Sequence, residues 1–172
     1  MIIFAFAGIG KTSLAKKHDG VVDLELSDIK YDNRSVSHLS REARKSTKRP
    51  IKDVAYQTTY IQKAFALEQE GKIVLVALNF LVPMLLEMRK RKSYDFHILI
   101  PHPGLRKEYK SRYQTRGNNP TFIFEVMAIW YPILIPLYLL SFLFPRLMTV
   151  TAAGETLEDA FPRIVPPDRL RK

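Results

Sequence analysis

The sequence predicts an α/β domain in three layers, with a mostly parallel five-stranded sheet carrying helices on both faces. Two observations predict it. Short apolar runs at 2–6, 21–26, 72–78, 96–100 and 147–151 alternate with segments of helical spacing or helix-ending signals, and strands joined through helices pair in parallel. The chain has 172 residues and is 47% hydrophobic, enough for one domain with a real core and too little for two ordinary ones.

Ile2 to Phe6 form a continuous apolar run, the pattern of a parallel strand covered on both faces. A helix over 11–18 follows, with Gly20 as its stop. Within 21–26 apolar residues alternate with Asp23 and Glu25, which reads as a second strand with Asp28 just past its end. From 33 to 50 the composition is polar and basic without a continuous apolar face, so a mobile loop or a loosely packed helix is expected. Val54, Thr58, Ile61 and Phe65 recur at helical spacing over 52–70, and Gly71 ends that helix before the strand 72–78.

An apolar-faced helix over 81–88 tolerates Pro83 in its first turn and ends in Arg89, Lys90, Arg91 and Lys92, where cations suit the helix dipole. The strand 96–100 leads through Pro101 and Pro103 to a charged helix over 105–116. The uncharged stretch 126–143 reaches the lower end of a membrane span. Pro132 and Pro136 interrupt it, so a buried helix or helix pair under the sheet is the preferred reading, ahead of membrane contact. A fifth strand over 147–151 and a short helix over 156–161 complete a single domain at 1–161, and the proline-rich basic tail 162–172 frays.

Lys and Arg total 27 against 17 Asp and Glu, a formal charge of +10 that suits an anionic partner: nucleotide, nucleic acid or membrane surface. The absence of cysteine excludes disulfides, thiolate zinc sites and cysteine nucleophiles, and suits a reducing, cytoplasmic setting. The apolar start MIIFAFAG has no basic segment before it and is short, so a first strand explains it better than a signal peptide. His18, His38, His97 and His102 show no metal-ligand spacing, and only His102 sits at the carboxyl end of a predicted strand. Tyr31, Tyr56 and Tyr60 could stack on a base, although packing is the commoner fate of such rings.

Ala5-Phe6-Ala7-Gly8-Ile9-Gly10-Lys11-Thr12 matches the phosphate-loop pattern G-x-x-x-x-G-K-[ST] at every fixed position except the first, where alanine stands for glycine. A predicted strand precedes it and a predicted helix follows, which is the context the motif needs. The fold expected is therefore the three-layer P-loop NTPase fold. Backbone amides from Gly8 through Ile9, Gly10, Lys11, Thr12 and Ser13 would hold the phosphates of ATP, Lys11 would bridge the outer phosphates, and the Thr12 hydroxyl would coordinate Mg²⁺. Asp23 is the first candidate for the metal-holding acid, with Glu25 and Asp28 next as metal or acceptor ligands. The strand 72–78 ends in Asn79, where a Walker B acid would stand. Beyond the fourth strand, Arg112 and Arg116 are four apart and share a helix face, so both could clamp a transferring phosphoryl group.

On A-x-x-G-I-G-K-T, the acidic D-L-E-L-S-D, the R-Y-Q-T-R-G helix end and the late A-G-E-T-L-E-D-A, the chain resembles the P-loop nucleoside and nucleotide kinases, in particular small kinase-like proteins of bacteria and phages. The resemblance implies that Arg112 and Arg116 correspond to lid arginines in a lid-like segment 103–118, and that 29–60 forms the acceptor-binding, mobile part. Two departures stand out: no D-R-x-[HKR] motif follows the third strand, and the apolar 122–143 replaces a polar helix, which suits a homodimer interface or membrane contact. The function expected is transfer of the γ-phosphoryl of ATP to a nucleotide or nucleoside. The alternative is a nucleotide- or nucleic-acid-binding protein without turnover, with a polynucleotide 5′-kinase that grips a strand through the basic residues 41–49 as a variant of the first.

Overall fold

The computed structural model describes residues 1–39, 43–44, 47–92 and 95–166. Strands β1 (Ile2–Ala5), β2 (Val21–Asp23), β3 (Ile73–Ala77), β4 (Phe96–Pro101) and β5 (Met148–Thr151) form one sheet in the order β2-β3-β1-β4-β5. Every neighbouring pair is parallel, in the registers Ile2↔Val74, Ile2↔Phe96, Val22↔Val74 and Ile98↔Met148.

Alternation along each strand sorts the core into two halves. Ile2, Phe4, Val74, Val76, Ile98 and Ile100 face one side, where they meet α2 (Leu26–Lys30), α3 (Tyr56–Gln69), α4 (Leu81–Arg91), α5 (Arg106–Thr115), α6 (Pro120–Ala128) and α7 (Trp130–Leu143). Ile3, Ala5, Ile73, Leu75 and Leu99 face the other, covered by α1 (Lys11–Ala15) and α8 (Leu157–Ile164). This is a three-layer α/β arrangement. The helix after β1 lies on one face and the helix after β3 on the other, so the crevice between the carboxyl ends of these neighbours is a topological switch point, where ligands of open α/β sheets bind.

Several expectations need correcting. β2 stops at Asp23 and the chain turns into α2, so Glu25 caps a helix and Asp28 lies within it. The apolar–acidic alternation runs on to Leu26, past the end of β2, an edge strand bonded to β3 alone. α1 ends at Ala15, well before Gly20. The buried stripe of α3 is Tyr60, Ala64 and Phe65, while Val54 precedes the helix and is 91% exposed and Thr58 faces solvent. Stretch 33–50 contains the 3₁₀ turn Arg34–Val36, and part of its basic run 41–49 lies outside the described residues. α8 continues through Pro162 to Ile164, with Ile164 and Val165 buried, so the end of the fold lies past residue 161. The tail from 167 is outside the described residues.

The apolar stretch near the end is a helix pair, α6 and α7, but only its inner side is buried. Trp130 and Leu134 reach the core, and the Trp130 indole donates to the Pro103 carbonyl at 2.8 Å. Among the described residues no single helix is long and apolar enough to cross a membrane; α6 and α7 pass that test only together, bent by 44°.

Two buried polar side chains test this architecture. Tyr60 is fully buried, and its hydroxyl donates to the Leu24 carbonyl at 3.0 Å while accepting from the Ala77 amide at 3.2 Å, joining the ends of β2 and β3. Its ring stacks on Phe80, so packing and bracing are its roles. Tyr60→Phe would leave two backbone groups without their partner and should cost about 1–3 kcal/mol, readable from urea denaturation. His97, 5% exposed on β4 and 2.9 Å from the Thr149 hydroxyl, is held down to about 4 by burial. The unfolded chain takes up this proton first, near pH 6.5, so stability should be intact above that value and fall as the pH drops toward 4. The loss should approach about 3 kcal/mol and be reduced in His97→Gln, as measured by denaturation across that range.

Candidate functional site

β1 ends at Ala5, and residues 6–10 turn over its carboxyl end into α1. Ala5 remains in the strand without a positive φ, so alanine at the motif's first position carries no backbone strain. Gly8 and Gly10 do hold positive φ, 77° and 110°, which L side chains adopt only with strain. At Gly8 there is a second reason: an added Cβ would sit 2.6 Å from Cε1 of Tyr113. At Gly10 the nearest atom to such a Cβ is the Leu157 nitrogen at 3.6 Å, an ordinary contact, so the dihedral alone demands glycine.

The loop is held from outside by two bonds that the sequence did not signal as a pair. The Leu157 amide, at the start of α8, donates to the Ile9 carbonyl at 2.8 Å. The Tyr113 hydroxyl donates to the Ala7 carbonyl at 2.7 Å. Thr156 and Asp159 form a capping box at the start of α8, which fixes the amide that Ile9 receives. Tyr113 was not singled out in the sequence, although Tyr109 and Tyr113, four apart on an otherwise charged helix, carry the signal of a buried face. Its position beneath a glycine had no such signal.

Lys11 and Thr12 begin α1. Helical amides point toward the N-terminus, so the first turn of α1 aims its N–H groups back over the loop. The Lys11 ammonium rests on the loop's own carbonyls, donating to Phe6 at 3.1 Å and Ala5 at 3.2 Å. The Thr12 hydroxyl donates to Oδ2 of Asp23 at 2.6 Å. This bond joins the residue after the motif lysine to the last residue of β2, across a sequence distance of eleven.

A cleft of about 560 Å³ opens from this point, and Ala7, Gly8, Gly10, Lys11, Thr12 and Ser13 form its floor. Asp23, Leu24, Glu25 and Leu26 form one wall, Tyr113, Arg116, Asn118 and Phe122 the opposite one, and Ala77 at the end of β3 closes the back. Lys16 at the rim adds a cation four residues beyond Thr12. The structure thus brings together Gly8, Gly10, Lys11, Thr12, Ser13, Asp23, Glu25 and Arg116. Ile9 is buried beneath the loop. Asp28 is turned away, accepting from the Asn33 amide at 3.1 Å, with its backbone carbonyl bonded to Lys52.

The two arginines separate. Arg116 lines the cleft at the end of α5, whereas Arg112 donates to Glu108 at 2.6 Å and lies against the Tyr109 ring. Glu108 also accepts from the Gly154 amide at 3.2 Å, so Arg112 sits in a bond network between α5 and the loop after β5. A four-residue spacing placed both on one side of the helix, but only the last turn overhangs the cleft. Asn118 and Phe122 carried no signal in the sequence, because the turn between α5 and α6 brings them in. Burial pushes the Tyr113 hydroxyl well above the ordinary phenol range, so it stays protonated and donating.

The donor set suits a hard cation: Thr12 and Asp23 present a hydroxyl and a carboxylate within hydrogen-bond distance of one another, and Mg²⁺ is held by one or two such protein oxygens with phosphates and water supplying the rest. Among the described residues no cluster of three or more His, Cys, Asp or Glu forms a self-sufficient metal site. No family model matches the chain, and no curated protein matches it.

Gly8→Ala combines a strained dihedral with a clash against a tyrosine anchored by its own hydrogen bond. It should lower the unfolding free energy by about 1–3 kcal/mol in chemical denaturation, more than Gly20→Ala, whose Cβ would meet nothing within 4 Å.

Proposed function

We propose that the protein is a P-loop phosphotransferase that binds ATP with Mg²⁺ in this cleft and transfers the γ-phosphoryl group to a nucleoside or nucleotide. The observation that carries the reading is the 2.6 Å bond from Thr12 to Asp23 beside Lys11, which sets a hydroxyl, a carboxylate and an ammonium around the end of a glycine loop. In this reading Lys11 exchanges the carbonyls of Ala5 and Phe6 for phosphate oxygens, and the amides from Gly8 to Ser13 hold the remaining ones. Thr12 and Asp23 hold Mg²⁺, which neutralises charge on the phosphates. Arg116 stabilises the charge of the moving phosphoryl group from the opposite wall. Glu25, on the wall beyond Asp23, accepts the proton of the acceptor hydroxyl, whose oxygen bonds to phosphorus as the bond to the β-phosphate oxygen breaks and ADP leaves. Arg112 positions Glu108 and the loop after β5 rather than touching the phosphates.

The test is ADP release from Mg²⁺-ATP with a panel of nucleosides and nucleoside monophosphates. Lys11→Ala and Arg116→Ala should each reduce turnover roughly 10²–10³-fold, while Arg112→Ala should have a smaller effect. Saturable ATP binding with no ADP under any acceptor would instead support the non-catalytic nucleotide-binding reading, which Leu78 and Asn79, standing after β3 where a Walker B acid would be, also suit. No ATP binding at all would end both.

A further inference from the structure

The helix pair α6–α7 carries an apolar surface that the fold leaves uncovered. Phe124 is 74% exposed, Leu139 59%, Phe142 65% and Leu143 71%. From 117 to 145 the only charged residue is Glu125. A helix at a water surface needs a polar side, and α7 has none: its inner residues Trp130 and Leu134 enter the core and its outer residues are apolar as well.

We infer that the outer side of α6–α7 docks on an anionic lipid surface and lies along it. Shape and packing argue against crossing: α6 and α7 reach span length only together and are bent by 44°, and leaving the sheet would empty the core of Trp130 and Leu134. Charge selects the occupant. Exposed Arg146 closes α7, and Arg89, Lys90, Arg91 and Lys92 end α4 in the same helical layer. The pairing Ile98↔Met148 places the entries to β4 and β5, and with them both basic groups, at the same end of the sheet. Glu87 pairs with Lys90 and Arg91, and Glu68 and Asp95 pair with the Met1 ammonium, so Arg89, Lys92 and Arg146 leave this end with an excess of positive charge. An apolar face with cations at the end of the sheet where α7 finishes matches an anionic bilayer, with hydrocarbon for the rings and lipid phosphates for the cations. A second copy would instead bring two chains of formal charge +10 together. The cleft opens at the opposite end of the sheet, beyond the strands' carboxyl ends.

The test is flotation of the purified full chain with phosphatidylcholine vesicles containing phosphatidylglycerol at about three parts in ten, against phosphatidylcholine alone. Bound fraction should be roughly tenfold or more higher on the anionic vesicles, fall with added salt, and be lost in a Leu139→Glu/Phe142→Glu variant whose far-ultraviolet circular dichroism is unchanged. Val54→Glu, exposed at a distant position, serves as the control and should float like the parent. Absence of flotation overturns the inference, as does equal flotation of the double variant. So does a concentration-dependent dimer in sedimentation that the double variant abolishes while the parent ignores vesicles; that outcome would assign the face to a second copy. These readouts require no nucleotide, so they stand apart from the phosphotransferase reading.

Discussion

Full burial of β1 on both faces constrains everything at the candidate site. Ile2, Phe4, Ile3 and Ala5 each contact core on their own side, and β3 and β4 occupy both edges. A strand so placed can only release the chain at its carboxyl end, and the chain must reach the α1 side of the sheet almost at once. A turn this tight needs positive φ, which is why Gly8 and Gly10 stand where they do. The same parallel order brings the ends of β2 and β3 to one edge, so Asp23 and Ala77 arrive beside the turn without long loops. The site is thus a product of topology before it is a product of side chains.

Two tyrosines then convert proximity into fixed geometry. Tyr60 ties the end of β2 to the end of β3, and Tyr113 ties α5 to the loop by bonding Ala7 while its ring lies against Gly8. A buried phenol is costly unless its hydroxyl is bonded, and here both hydroxyls meet backbone groups at the rim of the cleft. The carboxylate of Asp23 depends on this bracing, because β2 is an edge strand with three residues and one neighbour. The strut from Tyr60 to Leu24 adds to the ladder to β3, the Thr12–Asp23 bond and the burial of Leu24 and Ile29 in holding the wall that carries Asp23 and Glu25.

The elements legible in the sequence were those whose signal is local. Continuous apolar runs located β1, β3 and β4, because a strand buried on both faces has no other composition, and G-I-G-K-T announced the turn after the first. Signals that depend on neighbours misled. The alternation Val22, Asp23, Leu24, Glu25 has strand periodicity, but an edge position lets the chain leave after Asp23 and coil into α2. Val54 fits the spacing of α3 and yet lies before its first turn, so nothing packs on it. Arg112 and Arg116 share a helix face, and only three-dimensional placement distinguishes the one over the cleft from the one bonded to Glu108. Asn118 and Phe122 had no sequence signal, since their role comes from a turn that brings α6 back toward the loop.

That turn also makes the apolar helix pair part of the site's mechanics. Phe122 opens α6 and lines the cleft, with its ring 5.6 Å from that of Tyr113. Farther along, Arg106 of α5 donates to the Met127 carbonyl at 3.2 Å, and the Trp130 ring packs 5.2 Å from Phe6 in the glycine loop after β1. α5, α6 and the start of α7 therefore form one packed unit around Trp130, with Arg116 and Phe122 at its cleft edge and Leu139 and Phe142 at its apolar edge. The placement of Arg116 beside the cleft and the seating of α7 on the sheet are then both set by the packing around Trp130.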